Sequence, residues 1–409
     1  MRYRNASFVL LGVLLTALLG ACAEQVPPIF DEGRPLGVPA GPDSHGPRLT
    51  LGADGTVMLS WMERQGEDRV LRATEVRRSG FGDVVEVVSD PKMFVNWADV
   101  PSVTVLGDGD WLAHWMSYSA DLTYSYDVML ALSSDAGASW SEPFRPHDDG
   151  TPTEHGFVTV FPTGEDAGLI WLDGRKTGGE GTDDPTDTGM TLRGAFVGAD
   201  GEITGDQEID FLTCDCCQTD VAMTPSGPIA VYRDRTVDEI RDISISRFED
   251  GAWQAPEAFS EDGWEIAACP VNGPEIAVHG DYVAIAWFTA AGTVPRVKVR
   301  ISRNGGRSFG DEIEVARVAT IGHVQIDWIG DNAFAVNWMR PLDDLKDIMV
   351  RSVTINGELG RVHTVGRTEV ERTLPQMLKV HNDLVFVWTD VGSEGTRIRG
   401  VRAEIVYAQ

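Results

Sequence analysis

The sequence predicts an all-β protein that folds as a single β-propeller of four-stranded antiparallel blades. The main observation is a repeat of seven segments, in which a few apolar residues precede an aromatic residue and a polar loop follows. The aromatic residues recur every 50 to 61 positions, a period typical of propellers and solenoids. Helical periodicity is nearly absent, and we expect seven blades, with six as the alternative. The repeated aromatic residues are Trp61, Trp115, Trp171, Tyr232, Trp287, Trp338 and Trp388.

Each unit follows the same order of four predicted strands. A first strand ends at a tight turn, as in residues 49–51 before Ala53-Asp54-Gly55, and the aromatic strand follows. A third strand alternates apolar and polar residues, as in residues 297–302, and a fourth strand closes the unit, as in residues 311–315. Four such strands make a propeller blade. Residues 29–38 resemble an additional fourth strand, which we expect to pair with the last blade and close the ring.

The N-terminus has the features of a bacterial lipoprotein signal. Two arginines precede a short apolar run over residues 8–19, and the segment Leu19-Gly20-Ala21-Cys22 resembles the bacterial lipobox. The resemblance implies that Cys22 becomes the first mature residue and carries lipid, which would anchor the protein in the cell envelope, in the outer membrane facing the periplasm or the surface. The alternative is an ordinary signal peptide in which Cys22 has no role. The implied division is a signal over residues 1–21, a tether over 22–28 and the propeller over 29–409.

The charge of the chain excludes one class of partner. Its 63 acidic and 34 basic residues give a net charge of −29. A protein this acidic repels polyanions. We therefore expect no nucleic-acid partner, and we expect membrane contact only through the lipid anchor. The sequence does not indicate an oligomeric state.

Two predicted hairpins between third and fourth strands carry a shared motif. The first matches the pattern S-x-D-x-G-x-[ST]-W at every defined position, and the second has Asn for Asp and Phe for Trp. The acidic or amide side chain can accept hydrogen bonds from its own turn, and glycine supplies the positive φ that the turn needs. We therefore expect a structural role for these residues, which are Ser133, Asp135, Gly137 and Trp140 in the first hairpin and Ser302, Asn304, Gly306 and Phe309 in the second.

This motif, together with the period of the blades, resembles the sialidase-type (BNR/Asp-box) propeller family. The resemblance implies binding, and hydrolysis by an exo-sialidase-like glycoside hydrolase, of a sialic-acid-like or other glycan at the mouth of the central channel. Such a site needs three arginines that bind a carboxylate, a tyrosine nucleophile activated by a glutamate, and an aspartate as acid and base. Arg48 stands near the position of the family's Arg-Ile-Pro signature. The candidate site residues are Arg48, Asp99, Tyr126, Arg233, Glu239, Arg241 and Arg340.

Cysteine and histidine residues gather in one class of loop. In a propeller, the loops that lead into each first strand (the leading loops) lie around the axis on one face, together with the loops after each second strand. The leading loops contain three of the eight histidines and four of the five cysteines. We therefore expect these residues to converge at the channel mouth: His45, His155, Cys214, Cys216, Cys217, Cys269 and His323.

The sequence leaves three interpretations of this cluster open. Exported proteins usually oxidise their cysteines, so Cys269 could form a disulfide with Cys214, Cys216 or Cys217. A set of thiolates and imidazoles would instead suit copper or zinc. The cysteines could also be reduced and inert. Two functional alternatives to a glycan-binding propeller follow, namely a periplasmic metal-binding propeller and a non-catalytic scaffold or interaction module.

Overall fold

A computed structural model describes residues 26–177, 188–330, 332–393 and 395–407 of the chain. These residues form thirty β-strands and one short 3₁₀ helix, Ala291–Thr293. The predicted all-β fold is therefore confirmed. Within the same residues, none of the helical structure has the length and apolar composition needed to cross a bilayer.

Seven antiparallel sheets follow one another along the chain, which confirms a propeller of seven blades. The first three blades contain β3 (His45–Leu51), β4 (Val57–Gln65), β5 (Asp68–Arg77), β6 (Gly80–Phe81) and β7 (Val85–Asp90); β8 (Ser102–Val105), β9 (Trp111–Tyr118) and β10 (Tyr126–Ser133); and β11 (His155–Thr163), β12 (Asp166–Asp173), β13 (Thr191–Val197) and β14 (Ile203–Asp210).

The remaining four blades repeat the same order. They contain β15 (Asp220–Thr224), β16 (Gly227–Arg233), β17 (Ile243–Glu249), β18 (Ala252–Trp253) and β19 (Glu257–Ala258); β20 (Glu275–His279), β21 (Tyr282–Thr289), β22 (Arg296–Ser302) and β23 (Ile313–Arg317); β24 (Gly322–Gly330), β25 (Ala333–Leu342), β26 (Leu345–Thr354) and β27 (His363–Thr368); and β28 (Gln376–Val380), β29 (Asp383–Gly392) and β30 (Gly395–Val406).

The N-terminal segment lies on the last blade. Two short strands, β1 (Ile29–Phe30) and β2 (Arg34–Leu36), pair antiparallel with β30. Ile29 faces Val406, and Arg34 faces Arg402. The last blade thus takes its outer strands from the opposite end of the chain, and the paired segment is shorter than the predicted residues 29–38.

The second blade differs from the predicted four-stranded pattern. Its sheet has three strands, and only an isolated bridge between Leu130 and Phe144 stands where the fourth strand was expected. Pro143 directly precedes Phe144 of this bridge, and Pro146 follows two residues later. Proline has no N–H group to donate, so a continuous ladder cannot form there.

The repeated aromatic residues form the cores between blades. All seven are at most 4% exposed, and each lies on the second strand of its blade. Several of them also use their polar atom. The Nε1–H of Trp61 donates to Glu63, and that of Trp171 donates to Asp173. The repeat in the sequence therefore corresponds to one buried aromatic residue in each blade.

The two matching hairpins form nearly identical turns. In the first, Asp135 accepts hydrogen bonds from the N–H of Ser139 at 2.8 Å and from its hydroxyl at 2.6 Å. In the second, Asn304 accepts the equivalent bond from the N–H of Ser308 at 3.0 Å. The glycine of each turn has a φ of 82° and donates its N–H to the first serine. Because successive strands are antiparallel, these hairpins lie on the face opposite the leading loops.

Candidate functional site

On the face of the leading loops, one buried tyrosine contacts two carboxyl groups. The hydroxyl of Tyr126 donates to Oε1 of Glu154 at 2.6 Å and lies 3.3 Å from Oδ2 of Asp99. Oδ1 of Asp99 accepts the backbone N–H of Phe157 at 2.8 Å. Asp99, Tyr126 and Glu154 are named the tyrosine cluster below.

Neighbouring residues fix the geometry of the tyrosine cluster. Tyr126 begins β10, and its ring stacks on Phe94 with the ring centres 4.0 Å apart. Glu154 comes directly before β11, and its backbone bridges to that of Tyr126. Gly156 follows in β11, where its missing side chain leaves room for the Asp99 carboxyl group. The leading loops of the second and third blades thus meet the start of β10 at one buried point.

Burial changes the proton affinity of all three groups. It raises the pKa of Asp99 to about 8, and the nearby charge of Glu154 adds to this effect. Burial also raises the pKa of Glu154 to about 7, with the charge of Asp215 acting in the same direction. The pKa of Tyr126 is raised well above its usual range, again mainly by burial. At neutral pH an uncharged carboxyl group and a carboxyl group close to its midpoint therefore lie beside one phenol, an arrangement found at functional sites.

The glutamate at the tyrosine is not the one that the sequence suggested. Glu239 accepts hydrogen bonds from Arg235 at 2.5 Å and from Arg241 at 2.8 Å, while Glu154 is the hydrogen-bond partner of Tyr126. The predicted residues included His155, the neighbour of Glu154, and not Glu154 itself. The available signal was the position of Glu154 in a leading loop beside the loop of Tyr126.

The four candidate arginines do not gather around one point. Arg233 is 2% exposed, and its guanidinium group donates to the backbone carbonyls of Asn272, Arg241 and Phe288 at 2.6–2.8 Å. Arg233 therefore has a structural role, because backbone carbonyl groups use the N–H donors that would bind a ligand.

Arg241 and Arg340 have separate acidic partners. Arg241 binds Glu239 and lies 3.8 Å from Asp215, whose carboxylate also accepts a hydrogen bond from Arg235 at 3.0 Å. Arg340 is partly exposed on the sixth blade and pairs with the buried Asp347 at 2.6 Å. Asp215 also acts on the pKa of Glu154, so Arg235 and Arg241 are the guanidinium groups linked to the tyrosine cluster.

The structure contains one of the disulfide bonds that the sequence left open. Cys216 and Cys269 are bonded, with an S–S distance of 2.08 Å, and they join the leading loops of the fourth and fifth blades. Cys214 and Cys217 are free and buried, with their sulfur atoms 2.9 Å apart. Disulfide formation removes Cys216 and Cys269 from any thiolate ligand set in this state.

None of the three candidate histidines shares a potential ligand group with a cysteine among the described residues. The charges of Arg69 and Asp43 act on His45. The ring of His323 meets that of Trp97 edge-on, with the ring centres 5.9 Å apart. His155 stacks on His147 with centres 3.9 Å apart. Among the described residues, no group of three potential ligand atoms within 4.8 Å of one another combines a cysteine with a histidine. The predicted mixed copper or zinc centre is therefore not assembled there.

His155 belongs instead to a cluster of histidines and aspartates that the sequence did not reveal. Its Nε2 lies 3.1 Å from Asp149, and Asp127 and Asp173 lie within 3.8 Å. The guanidinium group of Arg175 pairs with Asp173 at 2.7 Å and with Asp149 at 3.4 Å, so a cation already stands beside these carboxylates. The cluster is a charge network between the second and third blades.

The predicted Arg48 lies on the axis of the propeller, in a ring of equivalent residues. Arg48 pairs across the sheet with Ser60, which precedes Trp61, and Glu275 pairs with Ala286, which precedes Trp287. The same register in every blade selects seven polar residues on the innermost strands: Arg48, Ser102, Thr159, Asp220, Glu275, Gln325 and Gln376.

This axial ring lines a cavity of about 480 Å³. Gln325 donates its amide to Glu275 at 2.6 Å. Burial raises the pKa of Glu275 well above its usual range, and the charge of Asp220 adds to the effect, while the charge of Arg48 opposes it. Burial also raises the pKa of Asp220, so both carboxyl groups of the ring resist ionisation.

Neither a protein-family model nor a curated protein matches the chain. Solved structures match it at low sequence identity. A polysaccharide lyase, Uly1, is 10% identical with a TM-score of 0.51 over 88% of this chain and 90% of that chain. A protein of unknown function from Dyadobacter fermentans is 12% identical with a TM-score of 0.49, over 94% and 98%. A Trypanosoma rangeli sialidase mutant is 13% identical with a TM-score of 0.47, over 78% and 55%. These likenesses concern the fold alone.

Proposed function

We propose that the chain binds a carbohydrate at the propeller mouth and hydrolyses its glycosidic bond, with Tyr126 as the nucleophile. One observation carries the proposal, namely the 2.6 Å hydrogen bond from the phenol of Tyr126 to Glu154, with Asp99 on its other side. A nucleophile, a base and an acid are the groups that a retaining glycosidase requires. The polysaccharide lyase and sialidase named above are carbohydrate-active proteins by their descriptions, and the likeness to them supports the fold alone.

Each residue of the tyrosine cluster has one role in the proposed reaction. Glu154 takes the phenol proton while the oxygen of Tyr126 forms a bond to the anomeric carbon. Asp99, which holds its proton at neutral pH, gives that proton to the departing oxygen. In the second step Asp99 takes a proton from water, the water oxygen bonds to the anomeric carbon, and Tyr126 recovers its proton from Glu154.

The substrate class that we propose is a sugar with a carboxylate near the anomeric carbon. A phenol is uncharged before the reaction, so it approaches such a sugar without the repulsion that a carboxylate nucleophile would meet. Arg235 and Arg241 both pair with Asp215, whose charge acts on the pKa of Glu154, and they supply positive charge to these loops. Tyr126 is 1% exposed and Glu154 is partly exposed, so the proposed reaction requires the loops above the phenol to open when the substrate binds.

Fluorogenic glycosides test this proposal. The wild-type protein should hydrolyse a sialoside faster than a neutral galactoside that has the same leaving group. Tyr126→Phe should lower the rate by about 10²-fold or more, because the variant lacks the nucleophile. Tyr124→Phe is the matched control, since Tyr124 is 60% exposed on the same loop and should keep the wild-type rate. No hydrolysis by the wild type, or equal rates in both variants, would reject the proposed reaction.

We also propose that the protein is exported and lipidated at Cys22, which lies outside the described residues. The Cys216–Cys269 disulfide supports export, because such bonds persist in oxidising compartments. Labelled palmitate should be incorporated into the wild-type protein in a bacterial host and not into Cys22→Ser. Equal incorporation into both proteins, or none into the wild type, would contradict lipidation at this residue.

A further inference from the structure

Four sulfur atoms lie together where the leading loops of the fourth and fifth blades meet. Cys216 and Cys269 share the disulfide. The sulfur of Cys214 lies 4.0 Å from that of Cys216 and 2.9 Å from that of Cys217. A disulfide and two thiols thus stand in direct contact, and they occupy the leading-loop face that also carries the tyrosine cluster.

The two thiols differ in chemical character. Nη1 of Arg241 lies 3.3 Å from the sulfur of Cys214. Burial would raise the pKa of Cys214, but a hydrogen bond from Cys217 and the charges of Arg233 and Arg241 outweigh it and lower the pKa to about 7. Burial raises the pKa of Cys217 well above its usual range. Cys214 is therefore the thiol that ionises near neutral pH, and Cys217 holds its proton and donates it toward Cys214.

We propose that these four cysteines form a thiol–disulfide exchange centre, in which the disulfide moves between Cys216–Cys269 and Cys214–Cys217. In the first step the Cys214 thiolate attacks the sulfur of Cys216. The Cys214–Cys216 bond forms, the Cys216–Cys269 bond breaks, and Cys269 leaves as a thiolate that takes a proton from water.

The second step completes the exchange. Cys217 loses its proton to water and attacks the sulfur of Cys214. The Cys214–Cys217 bond forms, the Cys214–Cys216 bond breaks, and Cys216 leaves as a thiolate that takes up a proton. One disulfide and two thiols are present before and after, so the exchange needs no external oxidant or reductant.

Burial explains why the reaction is internal and what it changes. Cys214 is 1% exposed and Cys217 is 2% exposed, so dissolved thiols do not reach them. Cys269 is exposed, so it becomes available to solvent once it leaves the disulfide. The exchange also releases the leading loop of the fifth blade from that of the fourth. Neither step uses the tyrosine cluster, and the exchange shares only Arg241 with the proposed glycosidase site.

Alkylation of the full-length protein without added thiol tests the exchange. The folded protein is equilibrated at about pH 6 and about pH 8, quenched in acid, labelled and mapped by mass spectrometry. Cys269 lies on a different peptide from the other three cysteines, so its labelling reports the break directly. We expect a labelled fraction of Cys269 that forms faster at the higher pH, because more Cys214 is then ionised. A wild-type protein whose Cys269 remains fully bonded at both pH values would overturn the proposal.

Three variants identify the attacking residue. Cys214→Ser should lower the labelling of Cys269 by about ten-fold or more, because the nucleophile is absent. Cys217→Ser should keep Cys269 labelled and accumulate the Cys214–Cys216 bond. Tyr124→Phe, an exposed change outside the four cysteines, is the control and should behave as the wild type. Equal Cys269 labelling in the wild type and Cys214→Ser would reject the mechanism, and the pH dependence of the wild type decides the question if a variant does not fold.

Discussion

Gly156 lies so close to Asp99 that a Cβ atom on the glycine would be 2.0 Å from Oδ2 of the carboxyl group. The same atom would be 2.9 Å from the ring of Tyr126. Both neighbours are buried, so neither can move into solvent. The shape of the tyrosine cluster therefore depends on the absence of one side chain in a neighbouring strand.

Gly156→Ala should lower the free energy of unfolding by about 1–3 kcal/mol, because overpacking forces buried side chains out of their positions. It should also lower the glycosidase rate, since Asp99 and Tyr126 are displaced together. Gly37→Ala is the matched control, because its added Cβ would meet no atom within 4 Å. Denaturant titration of both variants measures the difference, and equal stability would show that the cluster has room for the methyl group.

Asp99→Asn should reduce the dependence of stability on pH. The folded-state pKa of Asp99 is raised to about 8, so the folded protein keeps a proton that the unfolded chain releases near about pH 4. The contribution of Asp99 to the free energy of unfolding is therefore complete below the pKa of the unfolded chain. It is lost as the pH rises toward 8. The wild type should lose at least about 1 kcal/mol more than Asp99→Asn between about pH 5 and pH 8, since one pKa unit corresponds to about 1.4 kcal/mol.

Chemical denaturation at the two pH values checks this prediction. Asn keeps an oxygen that can accept the N–H of Phe157, so the variant should fold. Asp121→Asn serves as the control because Asp121 is exposed, and its stability should follow that of the wild type. Parallel pH profiles for Asp99→Asn and the wild type would mean that Asp99 is ionised in the folded protein at neutral pH.

Glu275→Gln should stabilise the protein at alkaline pH. The raised pKa of Glu275 means that the folded state resists its ionisation, so stability falls as the pH rises above the unfolded value. A glutamine there cannot ionise and can still accept the amide of Gln325. Thermal melting should show a higher Tm than the wild type at about pH 9 and a similar Tm at about pH 5. The exposed Glu165→Gln is the control, and a Tm difference that is the same at both pH values would argue against the raised pKa of Glu275.

Cys269→Ser should lower the free energy of unfolding of the oxidised protein by about 2–4 kcal/mol, because the disulfide closes a long loop in the unfolded chain. The two bonded cysteines are 53 residues apart in the sequence. Guanidinium titration of the wild type and the variant measures the loss. In the presence of excess dithiothreitol the two proteins should become similar, and a difference that persists there would have to come from packing of the serine.

The architecture of this protein follows from the pattern of its residues along the chain. Every blade must bury one aromatic residue at the same place, so the period from Trp61 to Trp388 predicted seven blades without any knowledge of their contacts. The hairpins at Asp135 and Asn304 were equally predictable, because each turn satisfies its own backbone through residues within a few positions. Local interactions leave a local trace in the sequence.

Which distant loops meet is evident only from the three-dimensional contacts between blades. The choice of Glu154 rather than Glu239 as the partner of Tyr126, and of Cys216 as the partner of Cys269, depends on how neighbouring blades place their leading loops. Arg233 has the same sequence features as an arginine that binds a ligand, yet three carbonyl groups surround it. Such contacts depend on shifts of a few ångströms between segments far apart in the chain, and residue types and spacings do not encode them.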